Sequence, residues 1–514
     1  MNNARMNKSA VSSFRAEMRR VVLFSTLVAA IALLQPALAS AARPLETSVL
    51  QYPTAVFDGP ERDLAFARVR GAGSPYVKLL LHWRSIAPDP RPAGFNADDP
   101  ASPHYDWRSF DEKILLARAH GLRPIVMVLY APRWAEGRGD SRFPGTARPD
   151  PSALAQFLRA AARRYNGNFQ PDPYSDVLPA VRHWTIWNEP NLRLYVTPQA
   201  EGGRLVAPGW YRSMVNASSA AIRGVNAGNV IIAGGTAPFG GRLALTGNVG
   251  PLRFMRAMLC LTTRLRPKAG CPASNFDVWD HHPYTSGGPR HRAFARDDVS
   301  LGDLPEMRRV LRAAIRYGKI RSPRSIRFWV GEFGWDTRPP DPTGVPARTH
   351  ARWVAEAMYR MWRVGVSHVT WLQLTDNPFP ADRYQSGLYY RRAGGFAAHR
   401  AKPALRAFRF PFVALPSGRR VNVWGRTPCG PPWPSCGSPT RVIVQRRASG
   451  GWSRVRTLRT NRHGIFRASL RVPRGRTYRA RLTSGTRAAA LGFRAVPTRD
   501  RPGHPFGCGG GVPC

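Results

Sequence analysis

A (β/α)8 barrel followed by a small C-terminal antiparallel β-sandwich is the α/β fold class that this sequence predicts. Three observations carry it. Eight short apolar runs recur between Val49 and Leu374, mostly with a helical stripe between neighbours. Two of those runs deliver a glutamate at their C-terminal end, Glu189 after Trp184-Thr185-Ile186-Trp187-Asn188 and Glu332 after Phe328-Trp329-Val330-Gly331. Near Phe412 the apolar period drops to two. Repeated strand–helix units imply a parallel sheet. Eight of them suggest closure into a barrel, whose functional residues sit at the C-terminal ends of the strands. An open doubly wound sheet is the alternative that pattern alone leaves.

The elements follow in order. Val49 to Tyr52 and Tyr76 to His82 read as the first two strands. Ser109-Phe110-Asp111-Glu112 has the form of a capping box that opens a helix through Ala119, and Gly121 stops it. Pro124 to Tyr130 is the third strand. Asp150-Pro151 supplies an N-cap and a first-turn proline, and Leu154, Phe157, Leu158, Ala161 and Tyr165 follow at helical spacing. The strand before Glu189 comes next. Met214, Val215, Ile222 and Val225 mark a helix, Val230 to Ala233 a strand and Phe276 to His281 another. Met307, Val310, Leu311, Ala314 and Ile315 form a helical stripe before the strand of Glu332. A helix from Thr349 to Gly365 leads to the last strand, Val369 to Leu374. Further on, Phe466, Ala468, Leu470 and Val472 alternate with Arg467, Ser469 and Arg471. Tyr478, Ala480 and Leu482 alternate with Arg479 and Arg481, which predicts an Ig-like sandwich with one buried and one basic face.

The length of 514 residues exceeds one compact core. The expected organisation is a signal peptide over residues 1–41, the barrel over 42–414, the sandwich over 415–498 and a Gly/Pro-rich tail over 499–514. Arg19-Arg20, the apolar run Val21 to Leu34 and the small residues around Ala39 and Ala41 predict export, so the protein is expected outside the cell. The six cysteines then read as disulfides, in the local pairs Cys260 with Cys271, Cys429 with Cys436 and Cys508 with Cys514. The net charge of +46 is nearly all arginine, scattered along the chain as a compositional bias would scatter it. No nucleic-acid-binding motif appears, so no nucleic acid is expected as a partner. The basic face of the sandwich leaves an anionic cell envelope or an acidic polysaccharide as a second partner.

Each motif has a bland reading. Asn188-Glu189-Pro190 alone is a polar turn, and Glu332 alone is an ion-pair partner for an arginine such as Arg327. His281-His282 invites a metal, but no third ligand follows at suitable spacing, and neither metal nor cofactor is expected. Arg138-Gly139-Asp140 matches an adhesion tripeptide of a length that matches by accident. The ordered set is more specific. Trp187-Asn188-Glu189-Pro190-Asn191, His282-Pro283-Tyr284, Gly331-Glu332-Phe333-Gly334 and Trp371 resemble the landmarks of clan A glycoside hydrolases, which are retaining (β/α)8 enzymes. Trp83-Arg84-Ser85-Ile86-Ala87-Pro88, Tyr105-Asp106-Trp107 and Ala131-Pro132-Arg133-Trp134 resemble family 39 more than the family 5 cellulases.

The resemblance implies a carbohydrate substrate, Glu189 as acid/base and Glu332 as nucleophile. It implies Asn188 on the sugar 2-hydroxyl, Tyr284 orienting Glu332 with His282 beside it, and Trp371 as the floor of the reacting sugar. Trp83, Trp134 and Trp335 are further candidates for sugar faces, or core aromatics. Lys78 stands near where the clan often has an arginine, and Tyr130 where family 5 often has a histidine; both departures weaken a family 5 assignment. The alternative function is a non-catalytic cell-surface protein that binds carbohydrate or polyanions.

Overall fold

The computed structural model describes residues 43–53, 55–137, 142–240, 247–382, 384–430, 432–435, 437–483 and 488–499. The signal segment, the Arg138-Gly139-Asp140 match, Cys436, Cys508 and Cys514 lie outside these residues. The eight barrel strands are β1 (Glu46–Leu50), β2 (Tyr76–His82), β3 (Arg123–Leu129), β4 (His183–Ile186), β5 (Val230–Thr236), β6 (Val278–His281), β7 (Arg327–Phe333) and β8 (Val366–Leu372). They close in sequence order, β8 pairing with β1, and every pairing is parallel. The principal helix after each strand is α1 (Arg62–Gly71), α2 (Arg108–Ala119), α3 (Pro151–Arg164), α4 (Ala207–Val225), α5 (Pro251–Met258), α6 (Leu304–Arg316), α7 (Ala347–Val364) and α8 (Pro403–Arg409). The (β/α)8 reading therefore holds, and the open sheet does not.

Local chemistry accounts for most boundaries. The Asp150 carboxylate accepts from the Ala153 N–H at 2.7 Å, with Pro151 in the first turn of α3. Gly365 ends α7 in the left-handed region at φ 100°, where a side chain would be strained. The capping box expected at Ser109 is not formed. Helix α2 begins at Arg108 without a side-chain cap, which puts Ser109 inside the first turn, its hydroxyl donating to Asp58 at 3.4 Å.

Alternation along the strands sorts side chains into two populations. Outward residues such as Val77, Leu79, Leu81, Trp184, Trp279 and Trp371 join the large core between barrel and helices. Inward residues form layers inside the barrel. At the N-terminal end lie Tyr76, Ile125, Val230, Ile232, Val278 and Trp329. At the C-terminal end lie Leu50, Leu80, Met127, Leu129 and Leu372, with Tyr130, Tyr195 and Tyr284 against them.

The sandwich pairs β9 (Phe412–Ser417), β10 (Arg420–Arg426) and β13 (Ile465–Leu470) in one antiparallel sheet. Its other sheet holds β11 (Arg441–Ala448), β12 (Gly451–Arg459), β14 (Thr477–Leu482) and β15 (Phe493–Arg494). It has its own core around Phe412, Val442 and Tyr478. It also shares the barrel's: Trp424 packs on Tyr359 and Trp362 of α7, and the buried Arg426 donates to the Leu45 carbonyl at 3.0 Å. Cys260 and Cys271 form a disulfide, and Cys429 is also disulfide-bonded. No helix among the described residues is long and apolar enough to cross a membrane.

Candidate active site

The chain turns sharply as it leaves β4. Trp187 and Glu189 sit at φ 68° and 36°, a region that non-glycine residues occupy at a cost of order 1–3 kcal/mol each. Neighbours hold the turn. The Trp187 indole donates to the Tyr195 carbonyl at 2.7 Å, and the Glu189 N–H donates to the Gly235 carbonyl at 3.0 Å. Asn191, fully buried, accepts from the Ala237 N–H at 2.8 Å and donates to the Val249 carbonyl at 2.9 Å. The last residue of the Trp-Asn-Glu-Pro-Asn motif thus ties the β4 loop to the β5 loop.

The second glutamate sits on a bulge. The register of β7 against β8 shifts between Val330 and Phe333, which points Glu332 into the barrel and Phe333 outward. Both glycines of the motif answer to close approach. A Cβ on Gly331 would lie 1.8 Å from Asp280 Oδ2, and one on Gly334 would lie 2.3 Å from the Leu372 carbonyl oxygen.

The strands bring six predicted residues together. Tyr284 donates its hydroxyl to Glu332 Oε2 at 3.3 Å. His282 Nδ1 lies 3.0 Å from Glu189 Oε1 and 3.7 Å from Glu332 Oε2. Its Nε2 faces Asp280 Oδ2 at 3.8 Å. Lys78, buried, donates to the Gly331 carbonyl at 3.0 Å and lies 3.7 Å from Glu332 Oε1. Asn188 is 5 % exposed, and its Oδ1 has no hydrogen-bond partner. One oxygen from each glutamate and one nitrogen of His282 all lie within 4.8 Å of one another.

The electrostatics separate the groups. Burial raises the Glu189 pKa; the charge of Glu332 adds to the shift, while His282 and Lys78 oppose it. Burial works against a charged His282, yet Glu332, Asp280 and Glu189 together raise it to about 9. Burial also raises Tyr284 well above the ordinary phenol range, as do both glutamates, so it is a neutral donor. Sequence spacing offered no third metal ligand, but in space Glu189, His282 and Glu332 do converge. The Lys78 ammonium beside Glu332 and the proton on His282 both oppose a cation there. His281 points the other way. It bonds Thr236 Oγ1 at 2.8 Å and the Val299 carbonyl at 2.9 Å, a satisfied core histidine.

The tryptophans expected to meet sugar do not gather here. Trp371 is fully buried, its indole donating to the Ser386 carbonyl at 2.9 Å. It pairs in register with the outward Phe333, while Leu372 takes the inward place, so strand parity turns the indole to the helical layer. Trp83 stacks on Phe157 in the core, and Trp335 packs against Trp353 and Phe333. Trp134 is half-buried against Trp83, Phe95 and Arg91. The mouth is lined by tyrosine instead. Tyr130 and Tyr195 stack at 6.0 Å, and Tyr52 and Tyr384 are half-exposed. Partial burial and the charges of Glu189 and Glu332 push Tyr384 up to about 12. These positions lie in loops without a motif; the one signal was that Tyr52 and Tyr130 follow strand ends.

No protein-family model and no curated protein matches the chain. Among solved structures, it is similar to a family 39 glycoside hydrolase from the gut symbiont Bacteroides cellulosilyticus WH2. Identity is 16 %, over 84 % of this chain and 81 % of that one, with a TM-score of 0.48. It is similar to the GH39 enzyme from Xanthomonas axonopodis pv. citri at 15 % identity, over 84 % and 93 % of the two chains, with a TM-score of 0.47. It is similar to a monomeric beta-xylosidase from Caulobacter crescentus CB15 at 15 % identity, over 79 % and 84 %, with a TM-score of 0.45.

Proposed function

We propose that the chain is a retaining O-glycoside hydrolase that cleaves a poly- or oligosaccharide by double displacement, with Glu332 as nucleophile and Glu189 as acid/base. The observation that carries this is the approach of the two carboxylates to within 4.8 Å at the C-terminal ends of β4 and β7. Retaining enzymes hold their carboxyls ~5–5.5 Å apart, and inverting ones ~6.5–9.5 Å, to leave room for water.

In the first step a Glu332 oxygen attacks the anomeric carbon as the bond to the leaving oxygen breaks. Glu189 gives its proton to that oxygen. The raised pKa of Glu189 keeps the proton available. Tyr284 and Lys78, one on each Glu332 oxygen, fix the direction of the nucleophile. Ester formation removes the Glu332 charge, the Glu189 pKa falls, and Glu189 takes a proton from water. The water attacks the same carbon and releases the sugar with its original configuration. The unpartnered Asn188 Oδ1 suits a substrate hydroxyl.

The reading includes export through the N-terminal segment and needs no cofactor. Azide tests it. Glu189→Ala should be rescued by azide to give a β- or α-glycosyl azide of retained configuration, and Glu332→Ala should give only inverted azide. The reverse pattern would swap the two roles. An inverted first product from the unmodified enzyme would remove the covalent intermediate.

A further inference from the structure

Along the flank of the barrel, between α6 and α7, runs a groove of about 740 Å³. Among the described residues, seven arginines and a single carboxylate, Glu306, line it. Arg308 and Arg312 stand four residues apart on α6, and Arg360 and Arg363 three apart on α7. Such spacings put each pair on one face of its helix. Glu306 is already engaged by Arg309 and Arg292, and Arg360 by Glu356. Arg308, Arg312 and Arg363 have no carboxylate partner among the described residues, and Nε and Nη1 of Arg308 are buried without an acceptor. Elsewhere on the barrel some arginines do find an acid, as Arg164 meets Asp111 and Arg256 meets Asp297.

Like charges therefore crowd a partly dehydrated groove. Burial lowers the Arg308 pKa, and Arg312 and Arg43 push it further the same way. Burial and Arg312 lower Arg43 as well. A polyanion laid in the groove would relieve this repulsion.

We propose that the groove between α6 and α7 is a non-catalytic binding site for an acidic polysaccharide, held through its carboxylate groups. Guanidinium forks match carboxylates in pairs. No aromatic side chain among the described residues lines the groove to stack bases, as single-stranded nucleic acid would require. Its apolar lining, Leu301, Leu304 and Val364, is recessed between arginines and offers no protruding anchor for a membrane. The choice of a glycan among polyanions rests on the glycosidase reading, but the test below does not use activity to read binding.

The experiment measures binding of polygalacturonate to the mature full chain across a salt series. The variants are Arg308→Gln/Arg312→Gln/Arg363→Gln in the groove and Arg454→Gln/Arg456→Gln/Arg459→Gln on the exposed edge strand β12 of the sandwich. The groove variant should bind on the order of tenfold or more weakly, with a log–log salt slope shallower by about 2. Its turnover of a soluble aryl glycoside should not change, and the sandwich variant should bind like the unmodified chain. Should the groove variant fail to fold, Arg312→Glu, on an exposed position, should weaken binding severalfold by itself. Unchanged binding in these variants, or loss only in the sandwich variant, would overturn the proposal. So would tighter binding of single-stranded DNA or phosphatidylserine vesicles than of polygalacturonate at about 0.15 M salt. A chain that binds the polymer through the groove but hydrolyses nothing would sink the catalytic reading and leave this site standing.

Discussion

The two ends of the barrel interior hold histidines with opposite fates. At the N-terminal end, His183 and His368 stack on Trp329 at 5.7 and 4.4 Å. Burial, with Arg327 and Arg123 nearby, lowers His183 to about 3. Burial and His183 itself drive His368 well below its ordinary value. At the C-terminal end His282 is as deeply enclosed as His368, yet three carboxylates raise it to about 9. Both ends share one scaffold and a similar depth. What differs is the sign of the neighbouring charge. Burial sets how strongly a neighbour is felt, and the neighbour sets the direction.

That contrast predicts which end carries chemistry and which carries stability. The largest effect belongs to Glu332. Glu332→Gln should lower kcat on the order of 10⁵-fold, while Trp329→Phe at the opposite end should leave kcat near that of the unmodified enzyme and lower stability by about 1–3 kcal/mol. Steady-state rates and urea unfolding on the same two variants check both halves; a large loss of kcat in Trp329→Phe would erase the distinction. Next come the groups that hold the nucleophile in place. Tyr284→Phe and Lys78→Met should each lower kcat by on the order of 10². Turnover unchanged in either variant would remove that residue from the site. Trp371→Phe should destabilise the fold by about 1–2 kcal/mol without lowering kcat, because its ring faces the helices and not the sugar. A KM or kcat defect in a stable Trp371→Phe protein would return the ring to the site.

The sequence was most legible where local chemistry is decisive. Strand β2 spans Tyr76–His82 as read from its apolar run, and Asp150-Pro151 opens α3 with the expected cap. Glu189 and Glu332 meet because the fold puts all strand ends on one rim. Three things were not legible. The bulge in β7 and the positive φ at Trp187 and Glu189 decide which side chains face inward, and neither can be read from composition. Strand parity moved Trp371 out of the barrel, while the mouth tyrosines Tyr195 and Tyr384 come from loops with no periodic pattern. The division between domains was blurred because Trp424 and Ile465 of the sandwich join the barrel's core, a contact across the chain that alternation within one strand does not encode.

The smallest effects test the contrast between the histidines most directly. A group whose folded pKa lies above its unfolded value adds stability that is complete below the unfolded value and fades as pH rises through the folded one. For His282 the window runs from about 6.5, the unfolded value, to about 9, the folded value. Its contribution is on the order of 3 kcal/mol at most; Glu189, also raised, has the same sign, but its window opens lower, at its ordinary value of 4.5. His368 has the reverse sign. Its folded pKa is depressed, so below about 6.5 the unfolded chain takes a proton that the folded chain refuses, and stability falls as pH drops. As far as these histidines decide it, stability should peak near pH ~6.5 and decline on both sides. Urea midpoints measured at several pH values in the unmodified chain, in His282→Gln and in His368→Gln separate the limbs. His282→Gln should flatten the alkaline decline and leave the acid one; His368→Gln should do the opposite. If His282→Gln instead steepens the alkaline limb, the imidazole is neutral in the folded protein, and the carboxylates around it do not outweigh its burial.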